Sequence, residues 1–178
     1  MRQKESLPGG NLAGGGQETG AKAGDLRQPD SSTSAPTPQI VLYSDGLCEP
    51  RNPGGWACWG WLAEADGQPL ASDAGVIGRG AGMTNNLAEY TAAIAALEWA
   101  ADKGLVGLVL RTDSQLVAYQ VTGVWQCRAA NLWPLLADLR ALAAVTDARI
   151  EWVPRAQNAK ADQLSRQAYA KAAGGGGL

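Results

Sequence analysis

The 178-residue chain contains no histidine, so any metal site in it must draw on oxygen or sulfur ligands. Sulfur is nearly as scarce. Cys48, Cys58 and Cys127 are odd in number and show no CxxC spacing, which excludes a disulfide framework and a sulfur-ligated zinc site. They read as free thiols, buried or half-buried. Long apolar runs are missing as well: Glu, Lys, Arg or Asp interrupts each one well before the roughly 18 residues a membrane span needs. Residues 1–20 lack a basic start followed by an apolar block, so no secretory signal is expected. These absences point to a soluble, cytoplasmic protein with no membrane partner. An excess of basic charge is also lacking. A net charge of −2 argues against a module that holds polyanions by charge neutralisation alone. It is compatible with a site built from carboxylates, whose negative charge bound cations offset.

What is present divides near residue 38. Residues 1–38 carry Gly, Ser, Pro and Gln clusters, balanced charge and no aromatic side chain. Such a segment buries too little apolar surface to offset its ordering entropy, so a disordered tail is expected there. A flexible end is expected at residues 172–178, and one folded domain over residues 39–171. Hydrophobic residues make up 46% of the chain, enough for that domain to bury a core.

Within the domain the periodicity alternates. Residues 40–44 form a β-rich run ending at Asp45-Gly46, and Pro53-Gly54-Gly55 marks a turn. Residues 56–64 alternate as a strand closed by an Asp66-Gly67 hairpin turn, and residues 70–78 give a weaker third strand. Thr84 or Asn85 then caps a helix in which Leu87, Tyr90, Ile94, Leu97 and Ala101 recur at spacings of three and four, up to Lys103-Gly104. Residues 105–111 form a fourth strand, followed by Asp113-Ser114 and a second helix. Residues 132–144 form a third helix with Leu132, Leu135, Leu136, Leu139 and Leu142 on one face. Residues 148–153 form a fifth strand, and Asn158 caps a last helix that reaches Lys171. This order predicts an α/β fold, a five-stranded mixed sheet flanked by helices.

Four acids fall at junctions of this pattern: Asp45 and Asp113 at strand ends, Glu89 and Asp162 in the first turns of helices. Chemistry in open α/β sheets gathers at such places. Any one of these acids alone is equally well a turn residue, a cap or a complement to a helix dipole.

Their flanks carry more. The segments YSDGLCEPRNPGG at residues 43–55, TNNLAEY at 84–90, TDSQLV at 112–117 and WVPRAQNAKAD at 152–162 resemble the four signature blocks of type 1 ribonuclease H, in order and with similar gaps. With acids at about one position in eight, four chance matches have odds on the order of one in several thousand. The resemblance covers residues 39–171. It implies a ribonuclease H-like fold and endonucleolytic hydrolysis of the RNA strand of RNA–DNA hybrids, by two Mg2+ or Mn2+ ions, to 5′-phosphate and 3′-hydroxyl ends. It further implies that Asp45 bridges the two ions, that Asp162 helps hold the one that activates water, and that Glu89 and Asp113 hold the one at the leaving oxygen. Two like charges 4 Å apart repel by about 4 kcal/mol at an effective dielectric of 20, so acids clustered without a cation would destabilise the fold, and the arrangement makes sense as a cation site. Oxygen ligands select Mg2+ or Mn2+ over zinc.

The same resemblance places Asn85, Asn86 and Gln115 against the minor groove and the 2′-hydroxyls that separate RNA from DNA, and Asn52 and Thr84 near a phosphate of the DNA strand. Helix capping is the competing reading for residues 84–86. Trp125 corresponds to an aromatic along the DNA channel of some relatives, with a core position as the alternative. Two features depart from many relatives. Arg155 stands in the loop where they carry histidine, as in the short archaeal-type branch; it is read either as an electrostatic contact to a phosphate or as a plain surface arginine. The stretch 121–131 holds only Arg128, so the basic protrusion is missing. A monomer is expected. Double-stranded RNA is left open as a second substrate, and so are a related nuclease and a catalytically inactive scaffold domain of the same fold. A two-domain ATPase with a related sheet is excluded by length.

Overall fold

The computed structural model describes residues 38–175. The tail expected at residues 1–38 therefore lies outside the described residues, apart from Pro38. Five strands, β1 (Ile40–Glu49), β2 (Trp56–Ala65), β3 (Gln68–Arg79), β4 (Val109–Thr112) and β5 (Arg149–Trp152), form one sheet in the order β3-β2-β1-β4-β5. The first three pair antiparallel, and β1–β4 and β4–β5 pair parallel, so the expected mixed α/β sheet is present. The four α-helices are α1 (Asn85–Asp102), α2 (Gln115–Val121), α3 (Trp133–Val145) and α4 (Ala159–Gly174). The last helix runs three residues beyond Lys171, into the segment expected to be flexible.

The two faces of the sheet are covered unequally. Leu42, Trp61 and Ala63 point to the face packed by α1, α2 and α3, where Tyr90, Leu97, Val117, Leu132, Leu136 and Leu139 complete the main core. The next residues along each strand point the other way, as strand alternation requires. There Leu47 and Cys58 meet Ala168 of α4 in a much smaller cluster.

Helix α1 differs from its expected apolar stripe. Leu87, Ile94 and Ala101 are only partly buried, while Ala88, Ala92, Ala93, Ala96 and Ala100 are fully buried. The helix lies between the sheet and α3, so two sides are covered, and alanine lets the backbones approach. Its ends follow sequence logic. The Thr84 hydroxyl accepts from the Leu87 amide at 3.1 Å, deciding the cap between Thr84 and Asn85. At the other end Gly104 (φ +66°) closes a Schellman motif, with Leu105 N–H on the Ala100 carbonyl and Gly104 N–H on that of Ala101. That motif and Gly107 (φ +71°) delay β4 to Val109, later than the expected start at residue 105.

The first strand also departs from expectation. Asp45-Gly46 does not turn: β1 continues to Glu49, with Asp45 opposite Gly60 and Gly46 opposite Trp59. The glycine serves a close approach instead. A Cβ on Gly46 would overlap the backbone of Ala88 and Glu89, so its absence seats the start of α1 directly on β1.

Candidate active site

That contact brings the acids together. Asp45 leaves the α4 side of β1 near its middle, Glu89 sits one turn into α1, and Asp113 follows the last residue of parallel neighbour β4. Asp45, Glu89 and Asp113 each offer a carboxylate oxygen, and these atoms lie within 4.8 Å of one another. Asp45 and Glu89 are buried, Asp113 partly so.

Each of the three is held by a neutral side chain. The Ser165 hydroxyl donates to Asp45 Oδ2. Asn85 Nδ2 donates to Glu89 Oε1 at 3.3 Å, and Asn158 Nδ2 to Asp113 Oδ1 at 2.8 Å. Glu89 Oε2 is buried without a hydrogen-bond partner. Among the described residues no lysine or arginine forms an ion pair with any of the three. Burial pushes the Asp45 carboxyl up to about 7; the Ser165 hydroxyl and Arg155 oppose the rise, while Asp113 and Asp162 add to it. Burial first, then the charges of Asp45 and Asp113, push Glu89 well above the ordinary carboxylate range, against the pull of the Gly46 amide and Arg155. Crowded acids, neutral partners and an orphaned buried oxygen form a hard, all-oxygen donor set. It fits a divalent cation such as Mg2+ or Mn2+.

Asp162 stands apart from the three. It lies in the first turn of α4, where Arg155 pairs with Oδ1 and Arg166 Nε pairs with Oδ2 at 2.9 Å. Arg155 is thus on a carboxylate rather than free at the surface. Asp162 still adds to the charge around Asp45, so the four acids form one electrostatic group.

The residues expected to meet substrate lie at the starts of α1 and α2 and in the β1–β2 loop. Asn52 Oδ1 accepts from the Asn85 amide at 3.0 Å, tying the β1–β2 loop to the start of α1. Thr84 caps that helix, Asn85 reaches Glu89, and Asn86 is exposed. Gln115 is exposed at the start of α2, which Ser114 caps. Trp125 is 44% exposed and meets Tyr119 edge-on at 4.8 Å, so it is not a core residue.

Two side chains hold the acids in roles that the sequence does not show. Asn158 is the N-cap residue of α4, as expected, but its side chain makes no capping bond. It is buried, and its amide donates to the Ser44 carbonyl at 2.9 Å as well as to Asp113. Ser165 is the other. Both lie on the sheet-facing stripe of α4 with Ala161 and Ala168, where a buried polar side chain is the available signal.

A family model described as Reverse transcriptase-like matches residues 63–168. Ribonuclease HI of Halobacterium salinarum is 43% identical over 132 residues, 73% of this chain and 64% of that protein. The crystal structure of RNase H1 from that archaeon matches with a TM-score of 0.68 at 41% identity, over 75% of this chain and 98% of that one. Ribonuclease H of Roseobacter denitrificans is 33% identical over 153 residues, 75% of this chain and 97% of that protein. The structure of LC11-RNase H1 in complex with an RNA/DNA hybrid is 32% identical, with a TM-score of 0.68 over 75% of this chain and 99% of that one. The chain spans 36% of the length of three mycobacterial relatives, and just under two thirds of the Halobacterium protein.

Proposed function

Because this chain belongs to the type 1 ribonuclease H family, we propose that it is an endonuclease that hydrolyses the RNA strand of RNA–DNA hybrids, leaving 5′-phosphate and 3′-hydroxyl ends. The observation that carries the reading is the cluster of Asp45, Glu89 and Asp113 oxygens within 4.8 Å, with no basic side chain paired to them among the described residues. Such crowding is unfavourable unless cations occupy it.

Asp45, Glu89 and Asp113 would hold one divalent ion, and Asp45 with Asp162 a second. Bound there, the ions would polarise the scissile phosphate and acidify the attacking water. The chain's own residues supply the rest. Asp45 and Glu89 must be ionised to bind; burial raises Asp45 to about 7 and raises Glu89 as well, so loading improves as pH rises through the value of Asp45. Asp162 would have to give up its pair with Arg155 to hold an ion, and Arg155, exposed in the short 3-10 turn before α4, would then be free to face a phosphate as a permanent cation. The Thr84 hydroxyl accepts as a cap and keeps its proton to donate, which suits a phosphate oxygen. Asn52 likewise uses only its oxygen on Asn85 and keeps two N–H donors. Asn86 in the first turn of α1 and Gln115 at the start of α2, both exposed, can donate to and accept from 2′-hydroxyls. The hybrid seen bound to LC11-RNase H1 supports this substrate class.

Matched RNA–DNA hybrid, duplex RNA and duplex DNA, each incubated with Mg2+, Mn2+ or chelator, test the proposal. Metal-dependent internal cuts confined to the hybrid's RNA strand are expected. A folded protein that cuts none of the three overturns the reading in favour of an inactive binding domain.

A further inference from the structure

We propose that Ser165 is a positioning residue of the cation site, aiming the Asp45 carboxylate, and that Gly60 is the notch in β2 that lets α4 come close enough for it to do so. The inference rests on Asp45 being a ligand, as read above.

Ser165 is fully buried, on a helix stripe whose other members are Ala161 and Ala168. Alanine would fill such a position without a polar atom to satisfy, and it is the better helix former. Packing alone therefore does not account for the hydroxyl. Its oxygen lies near two acceptors, Asp45 Oδ2 and the Asp162 carbonyl, the latter at 2.9 Å. A hydroxyl has one proton to give. The carbonyl three residues back is what any helical serine can reach, but an ionised carboxylate is the stronger acceptor, so the proton goes to Asp45. With one oxygen anchored, the carboxylate no longer rotates about its last bond. The other oxygen stays available to a cation.

The bond forms because α4 sits unusually close to the sheet there. Gly60 is the register partner of Asp45 and points to the same face. A Cβ at Gly60 would lie 2.6 Å from the Ser165 amide nitrogen and 2.7 Å from Leu164 Cβ. Any side chain would therefore push α4, and Asp162 with it, away from Asp45 while leaving Asp45, Glu89 and Asp113 on their own elements. A serine and a glycine 105 positions apart thus set one hydrogen bond.

Calorimetric titration with Mn2+ alone, without nucleic acid and at roughly pH 8.5, above the value of about 7 to which Asp45 is raised, tests this. Ser165→Ala is expected to weaken Mn2+ binding about tenfold, the usual cost of losing a partner that orients a ligand. Ser165→Thr, which keeps the hydroxyl, should bind within about threefold of the parent. Gly60→Ala should weaken binding in the same direction although its hydroxyl is intact, and the double variant should be no worse than the weaker single, because both act through one bond. Parent-like affinity in Ser165→Ala, or fully additive losses, overturns the proposal. If Gly60→Ala does not fold, the Ala/Thr pair decides alone. Asp45→Asn is the control: if it binds Mn2+ like the parent, the site reading itself has failed, whereas loss there with none in Ser165→Ala removes only the positioning role.

Discussion

Asp45, Glu89 and Asp113 form one carboxylate region, and Asp162 with its arginines forms another beside it. In the first, every partner is neutral: Ser165, Asn85 and Asn158 orient the acids and leave their charge uncompensated. In the second, Arg155 and Arg166 hold both oxygens of a single acid and neutralise it. Orientation without neutralisation keeps a site ready for a cation from solution, at a cost in stability while it is empty. Neutralisation by the protein relieves that cost but obliges the acid to change partners before it can bind metal. One fold thus presents a preformed half-site and a latched one.

The largest effect should come from removing charge in the neutral-partnered region. Asp45→Asn is expected to lower hybrid cleavage at least about a thousandfold while the fold persists. A near-normal rate would show that the cluster is not where the chemistry happens. Next comes the cost of the empty site. A carboxyl raised to about 7 stabilises the fold fully at acidic pH, and that contribution is lost as pH rises through 7. Without metal, Asp45→Asn should therefore match the parent near pH 4 and become more stable by about 4 kcal/mol above pH 7, as read by urea unfolding under chelator. Added Mg2+ should narrow the gap, since it binds only the parent's folded state. The smallest effect belongs to the latched region. Arg166→Ala removes a half-exposed pair within one helix, so stability should fall by less than about 1 kcal/mol. Mg2+ affinity should rise about twofold to threefold as a nearby positive charge disappears. A drop in affinity would mean that Arg166 supports Asp162 as a ligand rather than latching it.

Much of this was legible in the sequence, for identifiable reasons. Strands and helices follow their two periods, and the caps at Thr84 and Ser114 and the glycine stop at Gly104 act through neighbours in the chain. What periodicity cannot show is a close approach between distant segments. Gly46 reads as a turn because Asp-Gly usually turns, yet its role is set by the backbone of α1, forty-odd positions away. Asn158 reads as a cap for the same local reason, and its partners are Ser44 and Asp113. Ser165 lies seven positions after Asn158, on the same helix face, but only the sheet beneath shows what that face meets. The acids were found through their flanking motifs. The pairing of Arg155 and Arg166 with Asp162 is not legible in this way, because an ion pair chosen in the folded state leaves no mark of spacing beyond the i,i+4 position of Arg166.

The most direct test of the preformed half-site is anomalous diffraction from crystals grown with Mn2+. The predicted result is a peak roughly 2.2 Å from oxygens of Asp45, Glu89 and Asp113, a typical Mn–O contact for hard oxygen ligands. No peak among those three carboxylates at saturating Mn2+ would contradict the account.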